Sequence, residues 1–399
     1  MQTDRGFSPT GLPVSSTVDQ LKELVAAEVH QRRGVLVELS HRIHAHPELC
    51  FQEHMAASLV ADTLQSAGLK VERGAFGLPT ALRAQAGSGE LTVALCAEYD
   101  ALPEMGHACG HNIIAAAAAG AGIALARVAD EAELSIEVIG TPAEEGGGGK
   151  VLLLERGAFD GVHFALMVHP GPVEQEQLLC LAASHFTVRY HGKAAHASGH
   201  PHEGINAADA ITLAQVAIGL LRQQLPQTVR VHGIVKLGGQ AANAIPELTE
   251  VEYFVRAPTL VELDSIEPKV LRCFEAGALA TGCTMEVIAL GPRYSEFRAD
   301  ADLVALYRRN AEALGRHFPD SDPTPMSTDM ANVSLVVPSI HPMIGLETMG
   351  AVNHQPAFAE ASVGESADRA VIDGAIALAW TAIDAATTPK VRERLLGRS

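Results

Sequence analysis

The chain has 399 residues, 47% of them hydrophobic and 19% charged, enough apolar material for the cores of two ordinary domains. A formal charge of −18 argues against a nucleic-acid partner, because phosphates need a basic surface. The six cysteines are scattered through mostly apolar runs with no disulfide framework. Residues 1–15 hold no apolar run of a secretory signal, and no stretch reads as long and apolar enough to span a membrane, 113–126 being short and rich in Ala and Gly. A reducing, cytoplasmic setting is the expectation.

Ser16 and Thr17 can cap a predicted helix over 18–45, whose Leu21, Leu24, Val25, Val29, Val35, Leu36 and Leu39 roughly follow helical spacing before Pro47. A second helix is predicted over 53–67, ending at Gly68. Strand 91–97, helix 113–128, strand 135–140, a helix from 149 and strand 164–168 then alternate, which indicates an α/β core with a mostly parallel central sheet flanked by helices. The pattern changes near Ala183. Strand 184–191, helix 205–224, strands 228–237 and 250–257, helix 260–281 and strand 284–290 follow the ferredoxin-like order β-α-β-β-α-β. After Phe297 come a helix, the Pro-rich stretch 319–325, a strand near 339–345 and a closing helix over 367–386 that Ser366 could cap. One α/β domain, formed by 1–183 and 298–399, is expected to be interrupted by a small α/β insert at 184–297.

Four segments carry groups suited to metal chemistry. Glu98-Tyr99-Asp100-Ala101-Leu102-Pro103 leaves the C-terminal end of a buried strand, where ligands gather in open α/β sheets, and His107-Ala108-Cys109-Gly110-His111-Asn112 follows. Cys109 and His111 stand two apart in a Gly-containing turn, and thiolate and imidazole are preferred zinc donors. Glu144 and Glu145 follow another strand and precede four glycines; one carboxylate can bind metal while its neighbour carries protons. A phosphate loop ending at Lys150 is excluded, because its first glycine would fall at Glu144 and Val151 takes the place of Ser or Thr. His169 ends strand 164–168, and His354 lies in a late loop. Alone, the Cys-x-His pair is as readily structural as functional, and a lone histidine at a strand end is more often a hydrogen-bonding residue than a ligand. Together Cys109, His111, Glu145, His169 and His354 exceed one tetrahedral shell and suggest two ions sharing a bridge.

This ordered motif set, from His46-Pro47-Glu48 to Phe358, resembles the co-catalytic metallohydrolase family of aminoacylases, auxin-conjugate amidohydrolases, carboxypeptidase G and p-aminobenzoyl-glutamate hydrolase. The resemblance implies that Cys109 bridges two divalent ions, with His111, Glu145, His169 and His354 as further ligands, Glu144 as general base and Asp100 orienting a ligand. It implies that the insert is a lid and dimerisation domain, giving a homodimer. In it His196 (within Gly192-Lys193-Ala194-Ala195-His196) matches a residue that serves the partner's site and stabilises an oxyanion, while Asn243 and Arg256 match groups that bind a substrate carboxylate. Zinc suits these donors best; manganese, cobalt and nickel are also accepted by imidazole and carboxylate. Two departures stand out. Asn112 replaces a commoner Asp, and Cys96-Ala97-Glu98 replaces Arg-Ala-Asp. With Ser327-Thr328-Asp329-Met330 and Pro338-Ser339-Ile340-His341-Pro342, they resemble the subgroup of β-alanyl-lysine-type dipeptidases and p-aminobenzoyl-glutamate hydrolases. The implied activity is cleavage of the amide bond of a small N-acyl amino acid or dipeptide, with an aryl-amide hydrolase or β-alanyl dipeptidase as alternatives. Outside enzymes the rival is a non-catalytic, metal-stabilised scaffold. His107 is expected to bond within its loop and His341 to lie near the ligands.

Overall fold

A computed structural model describes residues 17–320 and 325–397; Ser16 and part of the Pro-rich stretch lie outside them. Thr17 opens the first helix with a reciprocal cap: its hydroxyl accepts from Gln20 N, and the Gln20 side chain accepts from Thr17 N. The helix expected over 18–45 is in fact two, Val18–Gln31 and Arg33–Ala45, because Arg32 leaves helical geometry at φ −94°, ψ 6°. The break lets Leu21, Val25 and Val29 on one helix and Leu36, Leu39 and Ile43 on the other all face the core, while Leu24 and Val35 point outward.

The main sheet runs in the order Lys70–Arg73, Leu82–Gly87, Leu134–Thr141, Leu91–Glu98, Phe164–Leu166, Ser339–Ile340. Its first two pairings are antiparallel and the other three parallel, so the sheet is mixed. The two antiparallel strands were not anticipated: Lys70–Arg73 is a short polar edge, and Leu82–Gly87 has few apolar residues. The parallel centre is buried on both faces, as near-continuous apolar strands require.

Two helices pack closely behind this centre. In His111–Ala126, a Cβ on Gly122 would lie 2.2 Å from Val138 Cγ2, so only glycine lets that helix approach its strand. Beside it runs Glu365–Thr387. Gly364 occupies its N-cap, and Ser366 instead accepts a hydrogen bond from Glu347 N at 2.9 Å. Contrary to the expectation from sequence, this 23-residue helix is long and apolar enough to cross a membrane, yet 78% of its most apolar window is buried inside the protein. It is a core helix here.

The second sheet, in the order Thr284–Ala289, Ala182–His191, Leu248–Ala257, Arg230–Leu237, is antiparallel throughout. Helices Ala207–Leu221 and Leu260–Thr281 cover one face around Phe186, Val188, Tyr190, Val251, Tyr253 and Phe274. Ala183 and Tyr294 exchange backbone hydrogen bonds of 2.9 and 3.0 Å where the chain enters and leaves this unit. Burial alternates along Leu248–Ala257, with Val251, Tyr253 and Val255 turned to the core and Phe254 and Arg256 to the other face.

Candidate active site

The parallel strands end on one side of the sheet, and the chemistry gathers there. Asp100, just past strand Leu91–Glu98, uses its two oxygens separately: one accepts from His111 Nδ1 at 3.0 Å, the other from Glu145 N at 2.9 Å. His111 is thereby left with Nε2 turned to the site. His169 reaches the same state by donating Nδ1–H to Pro170 O at 2.8 Å. Cys109 Sγ lies 3.5 Å from both His169 Nε2 and His354 Nε2, and His354 Nε2 lies 3.4 Å from Glu145 Oε1. Donors held by one zinc at tetrahedral angles sit about 3.2–3.6 Å apart. Cys109, His111 and His169 form one such group, Cys109, Glu145 and His354 a second, with the thiol shared. The structure thus brings together all five residues singled out as ligands. His111 Nε2 and Glu145 Oε1 are buried without any hydrogen-bond partner, which fits cation donors and not a satisfied polar core.

Backbone geometry aims these groups. Gly110 precedes the His111 helix at φ +75°, and a Cβ there would lie 2.5 Å from Pro170 Cγ. Ala143 (φ +60°) and His354 (φ +67°) occupy the left-handed region that L side chains rarely adopt, one beside Glu144 and the other at a ligand. Ala143 N is held by Glu53 Oε1 at 2.9 Å, and His354 N by Ala108 O at 2.8 Å. Asn353 donates to Pro170 O at 3.2 Å beside Cys109. Asn112 points away from the site. It donates to Ser40 Oγ at 2.8 Å and Ser362 O at 2.9 Å, a pairing that uses its amide hydrogens.

A network under the ligands was missed in the sequence. Lys150, fully buried, donates to Glu98 and to Asp329, the latter at 2.6 Å, and Asp329 also accepts from Lys150 N at 2.7 Å. The available signal was the set of departures itself, Glu98 and the Ser327-Thr328-Asp329 segment, which the fold joins through Lys150. Asp329 and Glu98 hold the ammonium charged against the effect of burial. Burial would raise the Cys109 pKa, but the His169 and His111 imidazoles hold it well below the usual thiol range. Glu144 is pushed well above the carboxylate range by burial, then by Glu98, Glu145 and Asp329. Glu145 is pushed up to about 7 by burial and by Cys109. So many acidic groups around one ammonium favour bound cations, since buried charge must be paired or coordinated.

A cavity of about 840 Å³ opens onto Cys109, Glu144, Glu145, His169 and His354. Arg256, Thr228, Ser327, Asn353 and His341 also line it. Arg256 stacks 4.7 Å over Phe254 and donates to Ser327 Oγ at 2.7 Å. His341 is buried with neither ring nitrogen bonded, 5.5 Å from the His169 ring. His107 does not bond within its own loop: its Nε2–H donates to Ile43 O at 3.1 Å. His196 and Asn243 are brought to each other but not to this cavity. Ala197 N donates to Asn243 O at 3.0 Å, and both side chains stand exposed on the insert.

Residues 94–370 match the model of peptidase family M20/M25/M40. The Xaa-Arg dipeptidase of Mus musculus is 39% identical, over 96% of this chain and 93% of that protein. A p-aminobenzoyl-glutamate hydrolase polypeptide of Escherichia coli is 34% identical, over 67% of this chain and 60% of that protein. Among solved structures, a dinuclear metal binding peptidase of the M20 family from Bacillus subtilis aligns with TM-score 0.68 at 22% identity, covering 89% of this chain and 98% of that one. The aminobenzoyl-glutamate utilization protein of Klebsiella pneumoniae aligns with TM-score 0.66 at 20% identity, covering 86% and 96%. At such identities these two structures speak for the fold. The chain belongs to peptidase family M20/M25/M40 and is a hydrolase of peptide-type amide bonds.

Proposed function

We propose that this hydrolase cleaves dipeptides or N-acyl amino acids, with two divalent ions shared across Cys109. The observation that carries the reading is the pair of three-donor groups meeting at one thiol beside Glu144. Divalent ions supply Lewis acidity to the carbonyl and acidify water. Glu144, buried at the cavity wall, takes the proton of the attacking water and returns it to the leaving amine. Asp100 keeps His111 in the tautomer that offers Nε2. Arg256 presents a guanidinium to a substrate carboxylate. The near full-length likeness to an Xaa-Arg dipeptidase supports dipeptides as the first substrates to try. Zinc suits a Cys and His donor set, and a reducing, cytoplasmic setting suits six unpaired cysteines.

We further propose a homodimer in which His196 and Asn243 of one protomer complete the other's site. Two features support it. The Arg230–Leu237 strand is a sheet edge carrying exposed Ile234 and Val235, and Leu213, Val216 and Leu220 form an exposed apolar stripe on helix Ala207–Leu221. Arg222 bonds Val231 O at 2.6 Å and ties the end of that helix to the edge strand.

The test is a panel of Xaa-Arg and β-alanyl dipeptides, N-acyl amino acids and p-aminobenzoyl-glutamate, with metal content measured on the same sample. Hydrolysis of one class, lost to a chelator and restored by zinc or manganese without unfolding, is expected. Turnover that survives complete metal removal defeats the metal reading.

A further inference from the structure

Glu98 is a fully buried carboxylate with no place in the ligand set above. One of its oxygens, Oε2, accepts from Lys150 Nζ. The other, Oε1, lies 3.1 Å from His111 Nε2, yet the two do not form a hydrogen bond, and both atoms are buried without a partner. With its Nδ1–H given to Asp100, the neutral His111 ring turns a lone pair at Nε2 toward that oxygen. Two electron-rich atoms that close repel each other. A proton between them would make a hydrogen bond, and the geometry for one is absent. A shared cation removes the conflict, because two donors on one ion stand about 2.9–3.6 Å apart, from octahedral to tetrahedral angles. Glu98, His111 and Glu144 each offer an atom within 4.8 Å of the others.

We propose that Glu98 is a further donor to the ion held by His111, offering Oε1, and that Lys150 and Asp329 are positioning residues that aim it. This rests on the two-metal reading above. Lys150 occupies Oε2, so only one oxygen of Glu98 is free to coordinate, and Asp329 fixes the ammonium from its other side at 2.6 Å. Charge balance follows from the same contact: Lys150 offsets one carboxylate, and the ion offsets the rest.

The test measures metal affinity apart from turnover. Wild-type, Glu98→Gln and Glu98→Asp proteins, each checked for folding by circular dichroism, are titrated with zinc against a chromophoric chelator, and their cobalt(II) spectra are recorded. Wild type is expected to hold two ions. Glu98→Gln is expected to weaken one of them by at least about tenfold, the low end of what a supporting group alone is worth, and to leave the other unchanged. Its cobalt ligand-field bands should move while the sulfur-to-cobalt band of Cys109 stays. Glu98→Asp keeps the charge beside Lys150 but draws the oxygen back by one methylene; it should show the same change and decides the matter if Glu98→Gln does not fold. Two ions bound with wild-type affinities and an unchanged spectrum in the folded variant overturn the assignment of Glu98 alone. A wild-type protein that binds no metal overturns the two-metal reading as well.

Discussion

The main-domain cluster and the pair of residues proposed to complete it from the second sheet's unit are built on opposite plans. In the main domain every candidate ligand except His354 is buried or nearly so, and most are fixed by a second group: Asp100 for His111 and Glu145, Pro170 O for His169, Glu53 behind the strained Ala143. On the insert, His196 and Asn243 stand in solvent, braced only by neighbouring loop atoms. A buried, cross-braced constellation is organised for its ligand before the ligand arrives. An exposed pair with chemistry to perform needs a surface from elsewhere.

The largest effect should come from the braced half. Glu144→Gln removes the proton carrier but no donor, so kcat should fall by roughly 10²–10⁴ while bound metal stays at the wild-type level. Turnover close to wild type would remove Glu144 from the base role, and metal loss would make it a ligand instead. Next comes Lys150→Met. It leaves Glu98 and Asp329 as buried carboxylates without their cation, and breaking a buried ion pair in this way costs about 3–5 kcal/mol. Chemical denaturation measures it; a loss under about 1 kcal/mol, the scale of an exposed pair, would mean that the network is not braced by Lys150.

The bare half is tested by complementation. His196→Ala alone should lower kcat by about 10²–10³ with KM little changed, as for a lost oxyanion donor. Protomers carrying His196→Ala and protomers carrying Glu144→Gln are then unfolded together and refolded. If His196 serves the partner, half the dimers are mixed and each has one intact site, so activity should return to about a quarter of wild type. No recovery in a demonstrably mixed sample would put His196 in its own chain's site.

The same contrast explains what could be read from the chain. Most of the metal-competent residues were legible because they follow strand ends, and strand ends in a parallel sheet converge whatever the intervening loops do, while His354, in a late loop, was legible only as a member of the set. The strands of the second sheet were legible because apolar and polar residues alternate along them, as Phe186, Val188 and Tyr190 do on one and Val251, Tyr253 and Val255 on another. Lys150 was not. With a phosphate loop excluded, nothing in the sequence names a partner for this lysine, and only the fold shows Glu98 and Asp329, which stands 179 residues from Lys150, meeting around it. The break at Arg32 was hidden because the apolar spacing continues across it. Asn112 looked like a departure at the metal site, whereas its amide faces Ser40 and Ser362, where a carboxylate could not donate.

The smallest effect on the fold should be the most informative about the bare half. Ile234 is 58% exposed on a sheet edge, and a lysine there meets water in the single chain. Such a surface change shifts stability by no more than about 0.5 kcal/mol. Yet lysine on an edge strand opposes pairing with another edge. Ile234→Lys, or Val216→Glu on the adjoining helix, should therefore leave monomer stability and metal content unchanged while moving the sedimentation coefficient from dimer to monomer. Activity then separates two cases. If His196 and Asn243 act across the interface, turnover falls with the dimer and recovers at high protein concentration. A stable monomer with full turnover would mean that the insert closes over its own domain, and that the distance between the lid residues and the cavity is bridged by motion within one chain.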